Sequence, residues 1–203
     1  MGMKKLLLSL FTLGTIIVCA QPGKKGKDAH MEPVLEQGYY LTAKGDSVKG
    51  EIQTNRENDG MFYKSVLFKA KGVPKVTELT PKKVRGYGFG DHHFTVYKKG
   101  EEEVYIRYVE KGRMNLMEYQ EAKTEEGVEK FPSTYYIQDT KAAGDDTHGT
   151  KDLTEIPQKP PGHKKMLKIF LKDQPIIVDG VDKWYFKIDE IQKAVHEFNK
   201  LYE

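Results

Sequence analysis

The sequence predicts an α+β domain: an antiparallel meander of about seven to nine strands with C-terminal helices packed on it. Two periodicities carry that expectation. From Gly38 to Asp139 the dominant period is two, the spacing of strands, with turn residues between the runs. From Ile188 the period changes: Ile188, Ile191, Val195, Phe198 and Tyr202 stand three and four residues apart, the stripe of an amphipathic helix. A third observation concerns what holds the fold together. The single cysteine is Cys19, inside a segment expected to be removed, so no disulfide is expected and stability must come from a core.

The chain of 203 residues opens with Lys4 and Lys5 and an apolar run from Leu6 to Val18. That run is shorter than the ~20 residues a membrane-spanning helix needs. Val18 and Ala20 occupy the −3 and −1 positions of a signal-peptidase site, which predicts a signal peptide over 1–20 and a periplasmic or secreted product. Two alternatives stand beside this: an uncleaved anchor, and acylation of Cys19, which would tether the chain to a membrane but sits badly with Val18 before it. Removing Lys4 and Lys5 from 33 basic residues leaves 31 against 30 acidic, so the net charge falls from +3 to +1. That balance gives no argument for nucleic acid. Residues 21–37, containing Gly, Lys and Pro, read as a flexible leader.

The β region is expected over 38–139. "GYYLTAKGDSVKGEIQT" is a hairpin turning at Lys44-Gly45-Asp46, with Val48, Gly50 and Ile52 on its inward parity. "SVLFKA" is a third strand, and "LTPKKVRGYGF" a Thr-Pro turn leading into Val84–Phe89. "HFTVYKKGEEEVYIRYVE" gives two strands joined at Lys99-Gly100. "YVEKGRMNLMEY" turns at Lys111-Gly112 into another, and "STYYIQD" is the last. The charged stretch Glu121–Lys130 reads as a loop. Residues 140–162, with Pro157, Pro160 and Pro161, read as a mobile connection. Residues 163–203 supply the helices: Met166, Leu167, Phe170 and Leu171 share one face of a helix over His163–Lys172, Pro175–Val181 adds a turn, and the terminal stripe completes the domain.

Several of these segments also stand together in a known order. "GYYLTAKGDSVKGEI", "LTPKKVRGYGF", "VEKGRMNLMEY", "YYIQ", "FLKDQPIIVDGV" and "VHEFNKLY" resemble motifs of a broad group of secreted proteins from Bacteroidetes-type bacteria. Members show a Gly-Asp-Ser/Thr-x-x-Gly hairpin, a Thr-Pro turn before a Gly-Tyr/Phe strand, and a terminal helix ending in Phe/Tyr-Asn. The resemblance covers Gly38 to Tyr202. Gln174 stands where members often carry cysteine, so no role of that residue carries over. The resemblance implies an exported bacterial protein and a fold, and no reaction.

Chemistry is sparse. Gly86, Gly88 and Gly90 alternate with Tyr87 and Phe89; no helical period follows and the spacing is not that of a phosphate loop, so a strand with one bare face is expected. Gly50 is expected in the same close-packed region. Asp91, His92 and His93 read as a polar turn, because neighbouring strand residues diverge; a metal would need His148, Asp145 or Asp146 as well, and no metal and no cofactor is expected. Ser47, Ser65 and Ser133 sit in no nucleophile elbow. The candidate ligand-binding residues are Tyr87, Phe89, His93, Tyr97 and Tyr105, from a chain rich in tyrosine. Lys164, Lys168 and Lys172 form a stripe able to touch anionic lipid or polysaccharide. The expectation is a non-enzymatic binding domain of the cell envelope, taking an envelope protein, a glycan or a small molecule. The alternatives are a carboxylate-dependent hydrolase with a cleft between sheet and helices, and a stress or assembly factor acting through the lysine helix.

Overall fold

The hairpin expected around Lys44-Gly45-Asp46 forms from β1 (Leu35–Leu41) and β2 (Ser47–Gln53), with Gly38 opposite Gly50. A 3-10 turn (Asp59–Tyr63) then leads to β3 (Val66–Ala70) and β4 (Val76–Leu79). The Thr-Pro turn delivers β5 (Gly86–Phe89), followed by β6 (His92–Lys99), β7 (Glu102–Glu110) and β8 (Met114–Gln120). After β9 (Lys123–Glu125) and β10 (Val128–Lys130) come β11 (Ser133–Asp139), α1 (Thr140–Ala143) and β12 (Thr154–Glu155). Three helices close the chain: α2 (Gly162–Phe170), α3 (Pro175–Val181) and α4 (Ile188–Lys200). The computed structural model describes residues 32–56, 58–143, 150–159, 161–181 and 187–203. The expected signal peptide with Cys19, most of the leader, and Asp145, Asp146, His148 and Pro160 lie outside the described residues.

Among the described residues the main sheet is antiparallel and has ten strands, in the order β12-β11-β8-β7-β6-β5-β1-β2-β3-β4, more than the seven to nine expected. The strands that the period of two did not separate are β4 and β12, both short and both at an edge. It is also not a simple meander. β5 leaves β4 and pairs with β1, so β1 lies between β5 and β2. Glu121–Lys130, expected as a loop, contains the exposed β9–β10 hairpin, whose turn places Glu126 and Gly127 at positive φ. Its charge had hidden any apolar alternation. β1 begins at Leu35, inside the stretch assigned to the leader. The connection expected over 140–162 holds α1 and β12, and Ile156 is fully buried.

Two apolar clusters form within the unit Pro33–Glu203. One lies beneath the 3-10 turn and joins Phe62, Tyr63, Phe89 and Phe94 to Tyr87, Tyr105 and the strand aliphatics. The other joins Met114, Leu116 and Ile137 to Leu167, Leu171, Ile191, Val195 and Phe198 of the helices. The terminal stripe is therefore covered by the sheet, as its spacing required, except that Tyr202 stays exposed and packs its ring at a tilt against Phe198. A bulge between Tyr108 and Glu110 shifts the register of β7, and Val109 packs with the helical cluster.

One side chain fastens α4 to the sheet. β7 ends at Glu110, opposite Leu116, so Met114 has no strand neighbour on that side. Buried Asn199 fills the gap: its Nδ2 donates to the Met114 carbonyl at 2.9 Å, and its Oδ1 accepts from the Met114 N–H at 2.7 Å. The amide thereby makes the two bonds a strand would have made. Gly112 lets it approach, since a Cβ there would lie 2.5 Å from Asn199 Cγ.

The alternating glycines divide by role. Gly88 does present a bare face: a Cβ on it would lie 2.7 Å from Tyr39 Cε1 and 2.8 Å from His93 Nδ1. Gly86 lies against the Phe94 carbonyl. Gly90 belongs to the β5–β6 turn instead, with φ +49° and open space around it. Gly50 is not in the same region. It is opposite Gly38, itself opposite Phe89, and a Cβ on it would strike the Phe68 ring on the other face of the sheet.

Candidate functional site

A row of directly opposed residues runs across five strands: Tyr87, Phe94, Arg107, Glu118 and Tyr135. Opposed residues share a face, so this row sets three aromatic rings beside an arginine and a carboxylate. The 3-10 turn lies over it. Asn58 caps that turn by accepting from the Met61 N–H, and the Tyr87 hydroxyl donates to the Phe62 carbonyl at 2.5 Å. These bonds fix Phe62 and Tyr63 above the strands.

Between turn and sheet is a cavity of about 270 Å³. Phe62, Phe89, Phe94 and Tyr63 form its aromatic wall. Its polar lining comes from Thr54, Asp59, His92, Arg107 and Gln120. The rings are close-packed: Phe62 and Phe89 have centroids 5.3 Å apart, and His92 lies 5.2 Å from Phe89.

Glu118 anchors the polar side. Its side chain is 4% exposed and meets Arg107, which donates through Nε at 2.9 Å and through Nη2. The hydroxyls of Tyr63, Ser133 and Tyr135 and the Gln120 amide also donate to it. Burial by itself would raise this carboxyl. The Ser133 hydroxyl, then the charge and hydrogen bonds of Arg107, outweigh burial and hold Glu118 below the ordinary carboxylate range. Burial and the Glu118 charge push the Tyr63 hydroxyl well up, so it stays a donor. A carboxylate so bound has no proton to give and no lone pair free to take one, the reverse of what a general acid or base requires.

Arg107 has one further contact, Nη1 to His92 Nδ1 at 3.2 Å. Arginine has no acceptor, so His92 Nδ1 must accept and the ring's proton sits on Nε2.

The sequence-derived binding residues divide between two faces. Tyr87, Phe89 and Tyr105 share the face of Phe94 and Arg107. Tyr87 and Tyr105 are fully buried, and only Phe89 lines the cavity. His93 and Tyr97 are on the opposite parity, where His93 Nδ1 meets the Tyr39 hydroxyl at 3.0 Å and Tyr97 packs on Tyr136. His92 and His93 thus diverge, as consecutive strand residues must, and they begin β6 where a turn was expected. On α2, Lys164 and Lys168 are half-buried; Lys172 is exposed beyond the helix end at Phe170. Among the described residues no three His, Cys, Asp or Glu side chains converge as metal ligands, and no helix is long and apolar enough to cross a membrane.

Arg107, Glu118, Gln120, Phe62 and Tyr63 were not singled out from the sequence. One signal was present: in "MNLMEYQ" a glutamate lies inside a largely apolar run, and it is buried with its neighbours. A charge within such a run requires a partner, and Arg107 is the residue opposite. No family model, curated protein or solved structure matches this chain.

Proposed function

We propose that this chain is an exported bacterial envelope protein whose folded domain binds a ligand without transforming it. The observation that carries this reading is the small cavity, in which aromatic rings face polar side chains while the nearest buried carboxylate is saturated by donors. Such a mixture of apolar wall and few placed polar groups is the usual character of a ligand site. The hydrolase reading receives less support. It needs two carboxylates flanking a substrate, one of them with a raised pKa, and Glu118 is shifted the other way. The cavity also lies under the 3-10 turn, away from the helices.

Export rests on the charged start, the short apolar run and Val18-Cys19-Ala20. The mature N-terminus should read Gln21; acylated Cys19 would replace a soluble exported protein with a tethered one. The binding reading is tested by purifying the protein from its native envelope and analysing bound molecules by mass spectrometry, beside a His92→Ala variant. A molecule present with the wild type and depleted in the variant is expected. Equal recovery from both would remove the cavity from the function.

A further inference from the structure

The donor and acceptor balance of the cavity points to its ligand class, an inference that rests on the binding reading above. We infer that the site takes a neutral, hydroxyl-bearing ring: one sugar unit of an envelope glycan.

Charge is the first filter. Among the described residues of the lining Arg107 is the only basic side chain with a fixed charge, and Glu118 compensates it with two guanidinium contacts. Its Nη1 donates to His92. An anionic ligand would therefore find that cation already neutralised, and the Asp59 carboxylate in the lining would repel it.

Hydrogen-bond capacity is the second filter. His92 Nε2 carries the proton that Nδ1 cannot hold, and it has no protein partner among the described residues, so it offers a donor. Gln120 uses its amide nitrogen on Glu118 and Ser133, which leaves its carbonyl as an acceptor. The exposed Asp59 carboxylate is a second acceptor. With the guanidinium N–H groups that Arg107 does not spend on Glu118 or His92, and the Thr54 hydroxyl oxygen, the lining holds donors and acceptors together, which suits groups that both give and receive. A carboxylate or phosphate ligand would meet acceptors it cannot satisfy, and an ammonium ligand would leave the His92 N–H unmatched. Hydroxyls satisfy both kinds.

Shape is the third filter. Phe62, Phe89 and Phe94 present an apolar wall opposite these groups. A sugar ring has the matching character, with C–H bonds on its faces and hydroxyls on its rim. About 270 Å³ lies just below the ~300–1,000 Å³ typical of ligand pockets, which suits one ring rather than an extended oligosaccharide.

The test is amide and aromatic NMR of the purified protein titrated with four probes: methyl glucoside, N-acetylglucosamine, glucuronate and propylammonium. The expected result is saturable shifts at Phe89, His92 and Gln120 with at least one neutral sugar, with Kd on the order of millimolar for so few contacts. His92→Ala and Asp59→Ala each alter an exposed residue and should leave the melt unchanged. Each should weaken that binding about tenfold, the loss of one or two hydrogen bonds. Shifts at the same residues from glucuronate or propylammonium, with none from the neutral sugars, would overturn the ligand class and leave the binding reading standing. If no probe shifts these residues, the sugar inference falls. If native purification also yields equal recovery from wild type and His92→Ala, the binding reading falls with it.

Discussion

Replacing Asn199 removes the one side chain that completes the β8 ladder beyond the end of β7. Asn199→Ala leaves the N–H and C=O of Met114 without the partners now at 2.7 and 2.9 Å. Met114 is fully buried and Asn199 is 4% exposed, so water replaces those partners poorly. An unsatisfied buried backbone group costs about 1–3 kcal/mol. Two of them, with some relaxation, give about 2–4 kcal/mol, or about 5–15 °C in Tm for a domain of this size. Asn199→Asp separates the two bonds. Its carboxylate still accepts from the Met114 N–H but repels the Met114 carbonyl, and burial raises its folded pKa. A raised carboxyl destabilises most above its folded pKa and recovers as pH falls through it, because the protonated acid donates again. Thermal melts at pH 7 and pH 5 should therefore show the aspartate deficit shrinking on acidification while the alanine deficit does not. Gly112→Ala would push a Cβ onto the amide, so its effect and that of Asn199→Ala should add to less than their sum in a double-mutant cycle. An alanine variant within about 0.5 kcal/mol of wild type, the range of an inert surface change, would refute the bridging role. An aspartate deficit independent of pH would refute the donor half of it.

Two further outcomes follow from the packing and the charges. Gly88→Val should destabilise by about 1–3 kcal/mol and Gly88→Ala by less, because a Cβ there meets the Tyr39 and His93 rings; Lys49→Val on the exposed side of β2 should be nearly silent, and an undisturbed Gly88→Val melt would show that those rings swing aside freely. Glu118→Gln strands Arg107 without its counter-charge. Breaking a buried pair costs about 3–5 kcal/mol; the Arg107 side chain is 30% exposed, so about 2–4 kcal/mol is expected near pH 7. The folded Glu118 pKa lies below its ordinary value of 4.5. Its stabilisation is therefore complete above the unfolded pKa and is lost as pH falls through the folded one. Denaturant melts should give a constant deficit for Glu118→Gln from pH 7 to about 5 that narrows in stronger acid, and a deficit that widens there would contradict the assignment.

Much of the sheet could be read from local spacing. The hairpins at Gly45, Gly100 and Gly112 and the helix from Ile188 all announce themselves through neighbours a few residues apart. What could not be read was anything that depended on distant pairing. β12 is two residues long and exists only because β11 is beside it. The place of β1 beside β5 is invisible in either segment alone. The site suffers from the same blindness. Tyr87 and Tyr105 are tyrosines of the right parity, yet parity does not say that both are fully buried, with Tyr87 bonded to the 3-10 turn and Tyr105 to the Leu79 carbonyl. Arg107 and Glu118 lie in strands whose alternation named the inward face, but their meeting depends on the β7–β8 register, which the bulge shifts.

The junction of β1 with β5 has a consequence for how the chain reaches its folded state. β1 to β4 pair through successive hairpins, and β5 to β8 do the same. The two blocks meet at Gly38–Phe89, Tyr39–Gly88, Tyr40–Tyr87 and Leu41–Gly86. Three of those four pairs set a large side chain against a glycine, so the halves engage like a key and its wards. Pairs so far apart in sequence close slowly, because a long loop must be ordered before any contact rewards it. Each half can thus form early and locally, while the cavity, whose walls come from Phe62 on one side of the junction and Phe94 and Arg107 on the other, comes into being only when the seam locks. On the proposed binding reading, the ability to hold a ligand is then a property of the finished sheet, absent from either half alone.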